Sequence, residues 1–256
     1  MDNNNELMAE RDYPILATKG VVLFPHNEIN IEAGRVFSKR AIRISGDEYS
    51  SFVIVVPQLN PRDDNISLEG LSKIGTLGKI KSVRRYENGV VKAIVTGLYR
   101  VKIDNLYMKD GVYFSNFTIA IDDVITPEVE AAYVKQTATI LETYLNSYPN
   151  APKSLIEKLQ KGLSAQEFVD VVAQSIVKDY VRQIEILNTL DVAKELELCM
   201  TFINSQKQIE DIEKEISDKV RKKLDNNQRE YILREKLRTI KEELGDVTPT
   251  DKMLTN

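Results

Sequence analysis

From Tyr13 to about Ile121 apolar and polar residues alternate with a period of two, the mark of half-buried strands. The pattern predicts strands over 15–17, 21–24, 29–31, 51–56, 76–86, 90–96, 100–105 and 112–121. One helix, 35–44, falls among them between Gly34 and Gly46. The pair Asn88-Gly89 between two strands is the strongest short hairpin signal, because both central residues of a type I′ turn take positive φ. Many short strands with a single helix predict a small, partly closed barrel over 13–121.

Beyond Thr126 the period becomes helical. Thr126 can cap, Pro127 fits the first helical position, and Val129, Ala132, Tyr133, Ile140, Leu141 and Leu145 form one face. Tyr148-Pro149 ends that helix, a short one follows over 153–161 and stops at Gly162, and Ser164 with Glu167 makes a capping box for the next. Residues 188–191 reset the chain before Val192. These helices form a small bundle over 126–200, so the expected class is α+β: a β-rich pseudo-barrel, a helical bundle, then one long helix.

That last element, 201–245, is unusual. Residues 163–244 contain neither glycine nor proline, and 202–244 read as a charged helix with a thin apolar stripe. At ~1.5 Å per residue such a helix is about 65 Å long, so it is expected to reach beyond its own globule. Five acids stand four positions before a base: Glu210 and Lys214, Glu215 and Lys219, Asp218 and Lys222, Asp225 and Arg229, Glu230 and Arg234. Together they offer about 1 to 2.5 kcal/mol, enough to bias a helix but not to hold it. At a strict seven-residue period one seam carries Ile209, Ile212 and Ile216, then Lys219, Lys223, Asn226 and Glu230, then Leu233, Leu237, Ile240 and Leu244. In the polar middle the apolar residues slip sideways to Val220, Leu224 and Tyr231, as at a coiled-coil stutter. These apolar positions are the candidate subunit contacts; a solvated helix lacking its partner is the alternative reading. Residues 1–12 read as a disordered start and 246–256 as a polar tail or linker.

A formal charge of −4 and pI near 5.4 argue against a general nucleic-acid binder. The lone Cys199 allows no internal disulfide and points to a reducing compartment. The start lacks the character of a secretion or import signal, and the apolar run 52–56 is too short to span a membrane, so the cytoplasm is expected. Catalytic patterns are wanting. His26 is the single histidine, with Pro25 and Asn27 marking a turn around it; Gly75, Gly78 and Lys79 do not complete a phosphate loop; Asp63-Asp64 and Asp122-Asp123 read as solvated acids.

The run Gln228-Arg229-Glu230-Tyr231-Ile232-Leu233-Arg234-Glu235-Lys236-Leu237, followed by Ile240-Lys241-Glu242-Glu243-Leu244-Gly245, resembles the helix that precedes the ATPase module of Lon ATP-dependent proteases. Tyr13-Pro14-Ile15-Leu16, Val21-Val22-Leu23-Phe24-Pro25-His26 and Gly34-Arg35 with Ser38 and Ala41 are similar to the opening of that family's amino-terminal domain. Gly75-Thr76, Asn88-Gly89-Val90-Val91-Lys92 and Gly97-Leu98-Tyr99-Arg100-Val101 resemble its central hairpin, and Ile186-Leu187-Asn188-Thr189-Leu190-Asp191-Val192 also fits. Leu16-Ala17-Thr18-Lys19 departs from the family's Leu-Pro-Leu-Arg type opening.

The resemblance implies a homohexameric, ATP-driven serine protease as parent, with its P-loop module, Ser-Lys dyad, ATP and magnesium all outside these residues. It further implies that this region captures unfolded or degron-bearing proteins and pairs subunits through the long helix. Exposed apolar loop residues would do the capturing, the candidates being Phe24, Pro25, Ile29, Leu59, Ile66, Leu68 and Leu71. Two other readings are a small-barrel nucleic-acid or ligand-binding module, disfavoured by the acidic balance, and an independent enzyme, for which no cofactor or metal set is found.

Overall fold

Strand β1 (Tyr13–Thr18) is buried at every position, which places it inside a sheet covered on both faces. Its side chains divide by alternation: Tyr13, Ile15 and Ala17 enter a core with Ile54, Val56, Leu77 and Phe117, whereas Leu16 enters another with Val53, Val55, Ile80 and Val95. The computed structural model describes residues 11–121, 125–147 and 163–244. The expected Tyr148-Pro149 break, the helix 153–161 with its Gly162 stop, Asp122-Asp123, the Gly245 stop, the tail 246–256 and nearly all of the predicted disordered start lie outside the described residues.

The further strands are β2 (Glu28–Ala33), β3 (Phe52–Pro57), β4 (Ile74–Arg85), β5 (Val91–Ile103), β6 (Tyr107–Lys109), β7 (Val112–Ser115) and β8 (Phe117–Ile119). They form one mixed sheet in the order β2-β5-β4-β3-β1-β7-β6, with β8 on β5. β1 and β3 run parallel and the other pairs antiparallel. The path ends at β2 and β6, so the barrel stays open. Helix α1 (Val36–Glu48) covers one side, where its Ala41 packs with Val112 and Phe114. Helices α2 (Pro127–Ser147), α3 (Ala165–Ser175), α4 (Tyr180–Asn188) and α5 (Val192–Glu243) follow, giving an α+β chain.

Several local expectations change. Residues 21–24 are not a strand but an extended stretch reaching a single bridge from Pro25 to Gly97. There the backbone crosses so closely that a Cβ on Gly97 would lie 2.3 Å from the Phe24 carbonyl oxygen. Gly97 therefore lets β5 run through as one strand where two were predicted. The hairpin at Asn88-Gly89 exists, but only Gly89 takes positive φ (77°), and the Tyr86 N–H reaches the Val90 carbonyl across a three-residue loop. Asp110 (51°) and Gly111 (72°) carry the type I′ geometry instead, joining β7 to the unpredicted edge strand β6. Asn116 splits the predicted 112–121 strand into β7 and β8, its N–H held by the Asn105 side chain. Helix α1 passes through Gly46 and stops where Ser50 and Ser51 adopt positive φ. The capping box of Ser164 and Glu167 forms as written in the sequence.

Contacts group Met1–Ser205 into one compact unit and Gln206–Asn256 into a second. The long helix begins at Val192, nine residues before its predicted start at 201, and its first turns contribute Leu196, Cys199, Phe202 and Ile203 to the helical core of the first unit. Val22, Phe24 and Ile74 from the sheet side join that same core.

At the junction of sheet and helices Arg100 of β5 is buried with Asp170 of α3 and Glu195 of α5. It donates to Asp170 Oδ1 at 2.7 Å, to Glu195 Oε1, and to the Thr189 carbonyl at 3.0 Å. Burial alone would lower the Arg100 pKa, but the two carboxylates outweigh it and hold it above the ordinary guanidinium value. Removing this cation leaves two carboxylates in a dry site. Arg100→Met is expected to cost about 3–5 kcal/mol in urea denaturation, and a loss below about 1 kcal/mol would show the cluster to be dispensable. The neighbouring Cys199 thiol is pushed well up by burial, reinforced by Glu195. Ellman's reagent should leave it untouched in the native protein at pH 8 and titrate it fully in guanidinium; reaction in the native state would contradict this burial.

Candidate functional site

The connection between β3 and β4 is a clasp. Gln58 bridges Leu71, the Leu59 N–H donates to the Gly70 carbonyl at 2.9 Å, and the Ser72 N–H to that of Pro57 at 2.9 Å. Arg35 grips the Gln58 side chain at 2.7 Å, and Tyr180 of α4 donates to the Gln58 carbonyl at 2.7 Å. Burial pushes the Tyr180 hydroxyl up to about 12.

Below the clasp lies an apolar groove of about 690 Å³, lined by Leu59, Leu68, Leu71, Ile74 and Ile103, with Lys73, Lys102, Glu69 and Asn188 at its polar positions. Asn188, at the end of α4, accepts from the Ile74 N–H at 3.1 Å and donates to the Ile184 carbonyl at 2.8 Å. The floor is thus a strand start tied to a helix end. Leu59 (49% exposed) and Leu68 (37%) leave apolar surface uncovered at the groove.

Of the seven predicted capture residues, Leu59, Leu68 and Leu71 come together here, although Leu71 is buried in the floor. Ile66 is half-buried against the β-sheet core. Phe24, Pro25 and Ile29 are corrected: all are buried, Phe24 beneath the helical layer with its N–H bonded to Gln174, and none offers surface to a partner. Ile74, Ile103, Lys73, Lys102 and Asn188 were not singled out in the sequence. Ile74 pairs with Lys102 in the β4–β5 ladder, but two bulges in that hairpin hide the register from a simple count.

A second hollow, of about 640 Å³, is lined by Thr18, Lys19, Glu32, Arg35 and Asp64 among others. Its charges are already engaged: Lys19 holds Asp64 at 2.7 Å, drawing that carboxyl below its usual range, and Arg35 binds Gln58 and the Ala17 carbonyl. His26 stands with Nδ1 3.6 Å from Asp170 Oδ2 at the edge of the Arg100 cluster. Among the described residues no group of three or more His, Cys, Asp or Glu could hold a metal ion. No described helix is long and apolar enough to cross a membrane.

In the second unit residues 211–244 are exposed throughout. All ten candidate contacts share this: Ile209, Ile212, Ile216, Val220, Leu224, Tyr231, Leu233, Leu237, Ile240 and Leu244 are between 47% and 77% exposed. Glu215 pairs with Lys219 at 2.6 Å and Glu230 with Arg234 at 2.7 Å, as their spacing foretold, and Arg238 adds Glu242 at 3.1 Å. Gln206 donates to Glu210 at 2.9 Å.

The curated relatives include the Lon protease of Mycoplasma mobile, 30% identical over 237 residues that make up 91% of this chain and 28% of that protein. The Lon protease of Xanthomonas oryzae is 27% identical over 92% of this chain and 28% of its own length. The chain therefore spans about three tenths of the relatives it matches. Among solved structures, the N-terminal domain of the Mycobacterium avium complex Lon protease superposes with a TM-score of 0.63 at 17% identity, covering 76% of this chain and 98% of that one. The Lon N-terminal domain protein from Xanthomonas campestris gives 0.51 at 17% identity, over 75% and 98%. These likenesses show a shared fold. The family model for the ATP-dependent protease La (LON) substrate-binding domain matches residues 12–205, and on that match this chain belongs to the Lon substrate-binding domain family.

Proposed function

We propose that the chain is a non-catalytic substrate-recognition and assembly module of an ATP-dependent Lon-type serine protease. The observation that carries this reading is the apolar groove with Leu59 and Leu68 exposed, inside the segment that the substrate-binding family model covers. Unfolded proteins differ from folded ones chiefly in showing apolar segments, and a half-open apolar groove discriminates on that property. Such a module needs no nucleotide of its own; ATP and magnesium would serve the ATPase module of the parent, and none of the residues described above is assigned to them. The lone buried thiol fits work in a reducing cytoplasm. The second task, subunit pairing, is supported by the row of exposed isoleucines and leucines on the long helix, in a parent expected to be a hexameric ring.

Two measurements test these tasks separately. In fluorescence anisotropy a labelled, permanently unfolded protein should bind this chain and its folded form should not. The double variant Leu59→Asp with Leu68→Asp should lose about tenfold or more in affinity while unfolding at the same temperature. Equal binding of folded and unfolded clients would sink the recognition reading, and unchanged binding by the double variant would move the site elsewhere. In analytical ultracentrifugation the whole chain should show a concentration-dependent mass above that of the monomer, and a chain ending at Ser205 should not. Identical monomeric behaviour of both would remove the pairing task.

A further inference from the structure

We infer that the groove under the β3–β4 clasp selects extended segments in which an apolar residue is flanked by aspartate or glutamate, and that Lys73 and Lys102 set this preference. The inference rests on the recognition reading above and adds to it the chemistry of the client.

The two lysines are built into the floor. Lys102 stands opposite Ile74 in the β4–β5 ladder, and residues so paired share a face. Lys73 immediately precedes Ile74, and its carbonyl accepts from the Ile103 N–H at 3.2 Å. Ile74 and Ile103 thus each have a lysine as a neighbour across the strands, and both lysines are exposed at the groove. A lysine stem is apolar while its head seeks water or an anion, so these side chains extend the apolar floor and edge it with positive charge.

Their heads are uncommitted. Elsewhere in the first unit Lys19, Lys81 and Lys92 are each held by a carboxylate, from Asp64, Glu28 and Glu32 in turn. Among the described residues no carboxylate lies within ion-pair distance of Lys73 or Lys102. Glu69 is the single acid lining the groove, which leaves two cations against one anion in a chain whose formal net charge is −4. The positive excess is therefore local. A segment with basic flanks meets like charges there, an arrangement that suppresses wrong partners, and a wholly apolar segment leaves both ammonium groups without a counter-ion. A lysine on its flexible stem also accepts an acid at varied spacing, where an arginine fork would demand one geometry, and this suits clients of unrelated sequence.

The test measures the fluorescence anisotropy of labelled unfolded peptides on the whole chain. Three peptides share one apolar centre and an amidated end and differ only in their flanks, which are glutamate, glutamine or lysine. The glutamate peptide should bind about three- to tenfold tighter than the glutamine peptide and the lysine peptide more weakly than either, with the ranking fading as salt is raised. Lys73→Gln with Lys102→Gln should abolish the ranking and leave the glutamine peptide bound as before, and Lys73→Glu with Lys102→Glu should invert it. Lys109→Gln, at an exposed lysine of β6 outside the groove, should change nothing. Equal affinities for the three peptides, each lost in the Leu59→Asp and Leu68→Asp double variant, would overturn the acidic preference and leave recognition at the groove standing. A ranking that Lys109→Gln removes as fully as the groove lysines do, or one that appears only when the peptide ends in a free carboxylate, would overturn the preference as well. A chain that binds none of the peptides overturns both readings.

Discussion

One guanidinium holds the sheet to the helices. Arg100 lies in the longest strand, its two carboxylate partners come from α3 and α5, and it also donates to carbonyls at the end of α4. A buried ion cluster of this kind contributes little net stability over well-packed apolar residues, because each charge has lost its water. Its effect is on specificity: a helical layer shifted by one turn would strand two carboxylates in a dry site. The planar fork also explains the residue type, since a lysine has one nitrogen and cannot span acceptors on three helices.

With the layers so fixed, the chain offers two apolar surfaces of different kind. The groove under the β3–β4 clasp is concave, with cations at Lys73 and Lys102, and suits an extended segment. The long helix offers a convex apolar stripe, a shape that another helix can meet. The proposed function uses the two separately, the groove for clients and the stripe for assembly, so that neither surface would have to do both.

The strand alternation, the Pro127 start, the Ser164 capping box and the reset before Val192 were legible because each depends on residues within a few positions of one another. What escaped depends on distance. Arg100 in an alternating strand looks like an outward residue, and its partners lie 70 and 95 positions away. Phe24 and Pro25, beside the turn at His26, carry every local mark of a loop, yet they are buried, Phe24 under helices that begin more than a hundred residues later. The first turns of α5 were read as bundle because their apolar face is continuous with it, whereas the backbone hydrogen bonds make them one helix with the charged stretch. Of the candidate site, Leu59 and Leu68 were found from turn context, and the walls that complete it were not, because a groove is a property of strands brought side by side.

Asn188 fastens the floor of the groove from two sides. Its amide closes the final turn of α4 with one end and fastens the first residue of β4 with the other. A wall held this way is already rigid before any client arrives, so the entropy of ordering it is lost during folding and not at the encounter. The recognition surface would then behave as a mould with fixed contours, choosing among floppy chains by which of them can conform to it.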